Sequence, residues 1–148
     1  MPSSDSDDVT FDFHRADRIG FPEIIYGESK SADQLQRIVA ACRENSHPIL
    51  ISRCQPEKAE ALTDGEYDPV SRIWQSGALR CDPPLGRVAV LSGGTADAPV
   101  VEECVRTTRF LGMEAFSFQD IGVAAIHRFL DRLPELTGMD VIVVCAGF

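Results

Sequence analysis

The sequence predicts an α/β protein built on a parallel sheet, preceded by a smaller α/β unit. Three observations predict it. The apolar runs "HPILISRC", "RVAVLSG" and "DVIVVCAG" are short and unbroken, the pattern of strands covered on both faces. Segments with apolar residues at helical spacing separate them, and strands alternating with helices pack as a parallel sheet. The stretch "CDPPLG", 81–86, concentrates proline and glycine between two such groups and marks a boundary. The expected organisation is a disordered tail over 1–10, an N-terminal region over 11–84 and a partial second domain over 85–148.

The elements follow in order. "FDFHRADRIGFPEIIYGESK" holds a charged helical stretch and a short strand over Pro22 to Tyr26. "SADQLQRIVAACREN" is an amphipathic helix: Ser31 is the N-cap, Gln34 stands at the capping-box position, and Leu35, Ile38, Val39 and Cys42 share a face. "HPILISRC" is a strand, and "QPEKAEAL" a short helix with Pro56 in its first turn. "YDPVSRIWQSG" reads as one strand with Val70, Ile73 and Trp74 as apolar contacts. Beyond the boundary, strands are expected near 87–92, 114–118 and 140–145. A helix over Ala98 to Leu111 presents Val101, Cys104, Val105 and Thr108, with Gly112 as its stop. "GVAAIHRFLDRLPEL" is a second helix with Val123, Ile126, Leu130 and Leu133 in line, and Pro134 limits its length.

Composition excludes several classes. The chain has 148 residues, 44% hydrophobic and 25% charged, which suits a globular protein. A net charge of −9 opposes nucleic acid or an anionic membrane as partner. "MPSSDSDDVTF" has neither the basic nor the apolar region of a secretory signal, and no run approaches the ~20 apolar residues of a membrane span. Five cysteines, odd in number and without a C-x-x-C pair, fit a reduced, cytoplasmic setting.

Three stretches carry candidate chemistry. "SGGTAD", Ser92 to Asp97, follows a strand and opens a helix. Its glycines admit a close ligand, the helix start attracts a phosphate, and Ser92 and Thr95 add hydroxyl donors. The same residues also suit a tight turn with Asp97 as N-cap. "DIGVAAIHR" follows the next strand, which puts Asp120 on the same sheet edge as Ser92. His127 is a candidate acid or base and Arg128 a candidate anion partner; a packed histidine beside a surface arginine is the other reading. His14, Arg15 and Arg18 form a basic cluster, as a surface helix or as an anion contact. None of the three histidines stands at metal-ligand spacing, so no metal is expected.

Together these motifs resemble a known family. "VAVLSGGTAD", "DIGVAAIHRFLDRL" and "DVIVVCAG", with "DFHRADRIGFPEIIYGESK", "ILISRCQPEKAEAL" and "DPVSRIWQ" in the same order, are similar to LarB, the carboxylase and hydrolase of nickel-pincer nucleotide biosynthesis. LarB is related to the aminoimidazole ribonucleotide carboxylases, in which a G-S-x-S-D turn holds the nucleotide phosphate and an S-A-H-R segment supplies the working histidine. The resemblance implies the first half of a flavodoxin-like three-layer (αβα) domain over 85–148. It implies substrate binding by Ser92, Gly93, Gly94, Thr95, Asp97 and Arg128, and catalysis by His127 with Asp120. The implied substrate is nicotinic acid adenine dinucleotide, carboxylated on the pyridine ring with carbon dioxide or bicarbonate and hydrolysed at its phosphoanhydride to release AMP. No tightly bound cofactor is implied, and magnesium is compatible.

Two departures shape the expectations. The family reads S-A-G-T-S-D where this chain has Gly93 and Ala96, which removes one hydroxyl donor. The family's terminal strand continues into E-G-A-L-P-S and further βα units that bring an acidic residue and a cysteine nucleophile. The chain therefore resembles a LarB protein cut in mid-domain, with its last strand an exposed edge and with little or no carboxylation of its own. The implied partners are the nucleotide and further copies of the chain or a C-terminal partner chain. The alternatives are a phosphate-binding module without catalysis and a subunit of a split enzyme.

Overall fold

The computed structural model describes residues 11–146, so the tail expected over 1–10 lies outside the described residues. Two sheets are present. The first carries the helices α1 (Arg15–Ile19), α2 (Ala32–Glu44) and α3 (Pro56–Ala59) and the strands β1 (Ile24–Tyr26), β2 (Ile49–Ser52), β3 (Glu66–Asp68) and β4 (Ile73–Ser76). Its order is β1-β2-β4-β3, with β1 and β2 parallel and the other pairs antiparallel. The second carries β5 (Arg87–Ser92), α4 (Ala98–Phe110), β6 (Glu114–Phe118), α5 (Ile126–Arg132) and β7 (Val141–Cys145). Its order is β6-β5-β7 and every pair is parallel.

Helix α2 starts where its local chemistry dictates. The Gln34 N–H donates to the Ser31 hydroxyl (3.2 Å) and the Ser31 N–H donates to the Gln34 side chain (2.9 Å), a reciprocal cap at the helix start. Leu35, Ile38, Val39 and Cys42 then pack on Ile25, Ile49, Ile51 and Trp74 of the sheet.

The stretch "YDPVSRIWQSG" is two strands rather than one. The Asp68 carboxylate accepts from both the N–H (2.8 Å) and the hydroxyl (2.6 Å) of Ser71, and these bonds close a turn between β3 and β4. Val70 lies at the tip of that turn, 50% exposed, and is not the apolar contact its position suggests; Ile73 and Trp74 are buried as expected.

The second sheet is the middle layer of three. In parallel register, residues of one parity face one side. Val88 and Val90 meet Val101 and Val105 of α4, while Ala89 and Leu91 meet Ile121 and Leu136 on the opposite side, with Phe129 of α5 alongside. This is the α/β arrangement that the sequence predicts, with parallel βα units covered on both faces.

Helix α5 corrects a detail of that prediction. Only Ile126–Arg132 is α-helical, with 3₁₀ turns at Val123–Ala125 and Leu133–Leu136 on either side. Val123, Ile126, Leu130 and Leu133 do not cover the sheet: they are 87, 49, 54 and 47% exposed. Phe129 and Leu136 make the packing instead. Pro134 ends the helix, and the tighter turn rotates Leu136 inward. Strand β7 lies at the sheet edge, with Ile142 and Val144 more than half exposed on the α5 side.

Helix α4 also joins the two sheets. Phe110, off the stripe that faces the second sheet, is buried against Leu50 and Ile73 of the first. Across the same junction Arg106 pairs with Asp68 (3.3 Å) and Arg53 with Glu103 (3.3 Å). The connection 77–86 runs along the end of α4: the Leu79 N–H donates to the Phe110 carbonyl (2.9 Å) and the Leu85 N–H to the Gly112 carbonyl (3.1 Å).

Candidate functional site

Parallel strands deliver their carboxyl ends, and the loops that follow them, to one edge of the sheet. Strand β5 ends at Ser92, so the turn to α4 emerges there. Ser92 is buried, and its hydroxyl donates to the Gly94 carbonyl (3.2 Å). The Gly94 N–H donates to the Asp97 carboxylate (3.3 Å). Asp97 occupies the N-cap position of α4, but its carboxylate turns back into the loop and caps no helical N–H. An anionic oxygen therefore already sits on a backbone donor of the turn. Gly93, Thr95 and Ala96 are exposed or half-buried on its rim.

The second loop leaves the neighbouring strand β6. Asp120 takes a left-handed backbone conformation (φ 57°), which turns the chain back towards the first loop. The Ile121 N–H then donates to the Ser92 carbonyl (3.1 Å). Gly122 follows, and a Cβ there would stand 2.6 Å from the Gly93 carbonyl oxygen and 3.1 Å from the Gly93 Cα. Only glycine permits this approach. Arg128, in the first turn of α5, ion-pairs with the Asp120 carboxylate and donates to its carbonyl (3.4 Å). His127 precedes it and is exposed.

The structure thus brings Ser92, Gly93, Gly94 and Asp97 into one hydrogen-bonded turn and joins it by backbone to the segment carrying Asp120, His127 and Arg128. Arg128 is the cation of the pair, held at a fixed place by Asp120. The Gly93–Gly122 contact did not emerge from sequence reasoning; a glycine two residues after the loop aspartate that follows β6 was its only signal.

The other candidates resolve differently. Around α1, Arg18 pairs with Asp12, whose carboxyl is held below its ordinary value by that guanidinium, His14 lies 3.4 Å from Asp17, and Arg15 stacks on Phe21 (5.5 Å). His14 and Arg18 are thus paired with carboxylates of their own segment, while Arg15 rests on a ring. A groove of about 320 Å³ lies between α2 and the β2–β4 strands, lined by Arg43, His47, Asp64 and Arg80, away from both loops. Four thiols have raised pKa values through burial: Cys42, pushed up to about 11, and Cys54, Cys104 and Cys145. Such thiols stay protonated at neutral pH and are weak nucleophiles. Cys81 packs beside Gly112 in the connection between the sheets.

A parallel sheet covered on both faces, with two joined loops at its strand ends, places the chain among the α/β proteins, a class in which ligands bind at that edge. Residues 4–76 match the LarB/PurE-like N-terminal domain, so over that region the chain is similar to the LarB family. The match ends at the last residue of β4, so it coincides with the first sheet. The chain is also 30% identical, over 94% of its length, to uncharacterized protein MJ0165 of Methanocaldococcus jannaschii, and it spans 59% of that relative. Among the described residues no helix is long and apolar enough to cross a membrane.

Proposed function

We propose that the chain belongs to a LarB-type carboxylase and hydrolase acting on nicotinic acid adenine dinucleotide, and that the loops Ser92–Asp97 and Asp120–Arg128 hold the nucleotide. The observation that carries this reading is the joined pair of loops. It offers a glycine turn for close approach, a guanidinium at Arg128 and an acid–base candidate at His127 on one sheet edge. A phosphate entering the turn competes with the Asp97 carboxylate for the Gly94 N–H. Asp97 then swings free to accept from ribose hydroxyls, and Arg128 divides its charge between Asp120 and the phosphate. His127 moves a proton to or from the bound group, imidazole being the side chain suited to proton transfer at physiological pH.

Carboxylation of a pyridinium ring by covalent activation needs a thiolate ~3–3.5 Å from a ring carbon. Burial keeps Cys42, Cys54, Cys104 and Cys145 protonated. In this proposal the described residues bind and orient the nucleotide, and the attacking thiol comes from another region or another chain. Carbon dioxide or bicarbonate is the co-substrate.

Isothermal titration with nicotinic acid adenine dinucleotide, wild type against Asp97→Ala, tests the binding step. A changed affinity is expected; equal affinity removes the turn from the site. Incubation with labelled bicarbonate tests the chemistry. Label fixed into a pyridinium product by this chain alone contradicts the assignment of the thiol elsewhere.

A further inference from the structure

Cys104 and Cys145 take no part in the binding scheme, yet they are placed together. Cys104 lies on the face of α4 that covers the second sheet, and Cys145 ends β7 on the same side. Both pack against the cluster of Val88, Val90, Val101 and Val105. The two side chains lie close enough to influence each other's ionisation, and Cys104 also faces the Thr108 side chain. The pair is also next to the candidate site, since Cys145 stands opposite Ser92 in the β5–β7 register. A cavity of about 260 Å³ lined by Val100, Glu103, Cys104, Thr107 and Thr108 reaches the Cys104 side of the pair from solvent.

We infer that Cys104 and Cys145 form a reversible intramolecular disulfide that ties α4 to β7 beside the Ser92–Asp97 turn. The oxidant is a hydroperoxide. The Cys104 sulfur attacks the peroxide oxygen, the O–O bond breaks, and a sulfenic acid forms with release of water or an alcohol. The Cys145 sulfur then attacks the sulfenic sulfur, the S–O bond breaks, and its oxygen leaves as water with the thiol proton. Two thiols and one hydrogen peroxide become one disulfide and two waters. A dithiol reductant reverses the change. Partial burial of both cysteines raises their pKa values and makes the first step slow.

The bond has a structural consequence. Within the described residues β7 is held by its ladder to β5 along one edge, and α4 begins where the candidate turn ends. A covalent tie between them restricts the opening of that edge.

The test uses the full chain. It is treated with hydrogen peroxide, alkylated under denaturing conditions and mapped by mass spectrometry before and after dithiothreitol. The expected result is loss of two of the five thiols, a linked pair of peptides containing Cys104 and Cys145, and recovery on reduction. Cys104→Ser and Cys145→Ser each abolish the linked pair. Amide hydrogen exchange in β7 slows in the oxidised wild type. A linkage to Cys42, Cys54 or Cys81, linkage only between chains, or Cys104 oxidised to sulfinic acid with Cys145 still a thiol overturns the inference. The mapping is made on the wild type, so its outcome stands even where a variant folds poorly.

Discussion

Gly122 and Gly93 meet backbone to backbone, with a Cβ on residue 122 falling 2.6 Å from the Gly93 carbonyl oxygen. That distance is shorter than carbon and oxygen tolerate, and the obstacle is main chain, which cannot rotate away. Gly122→Ala therefore has to separate the two loops. The expected outcome is a loss of about 1–3 kcal/mol in urea unfolding, the range for overpacking a tight site. Affinity for the nucleotide falls with it, because Arg128 moves away from the Ser92–Asp97 turn. Unchanged stability and affinity would falsify the contact between the loops.

Phe110 is buried between the end of α4 and the first sheet. Phe110→Ala removes a ring from a junction that cannot refill it, and a cost of about 3–5 kcal/mol is expected. Calorimetry should show both sheets weakened together. A variant in which only the second sheet loses stability would show that the junction does not couple them.

Asp68 gives the chain an acid-sensitive joint. Burial raises its pKa, but the bonds from Ser71 and the charge of Arg106 outweigh burial and hold it below the ordinary 3.8. A carboxyl depressed in the folded state contributes stability at pH values above 3.8. That contribution disappears as the pH falls through the lower, folded value. Asp68→Asn should leave a protein less stable at neutral pH, with a flatter decline below 3.8. The check is urea unfolding at a series of pH values. Parallel curves for the two proteins would count against the assignment.

Val123, in the 3₁₀ turn that leads into α5, is 87% exposed although it opens an apolar series that continues along the helix. Val123→Ser should change stability by no more than about 0.5 kcal/mol, as for a surface substitution. Phe129→Ala, which strips the packing side of the same helix, should cost clearly more. Thermal unfolding of the two variants separates them, and a larger loss for Val123→Ser would reverse the orientation assigned to α5.

These residues also show where sequence is informative. Strands β2 and β5 were legible because unbroken apolar runs have few other uses, and α2 because Ser31 and Gln34 write its start locally. Loops 92–97 and 120–128 could be placed on one edge because parallel βα units leave little choice. The orientation of α5 was not legible. The spacing of Val123, Ile126, Leu130 and Leu133 says that they share a side, and nothing in it says whether anything covers that side. The break at Val70 depended on two hydrogen bonds from Ser71 to Asp68, and the burial of Phe110 on a sheet formed by a distant part of the sequence. The meeting of Gly93 with Gly122 needed both loops in place at once.

Helix α4 runs for 13 residues, about 20 Å at 1.5 Å per residue. One end receives the chain from the glycine turn, and the other is clamped by Leu50 and Ile73. A helix of that length is stiff, so it acts as a push-rod: a displacement of its first turn is delivered at Phe110. The N-terminal sheet is thus mechanically in series with the glycine turn, although no strand connects them.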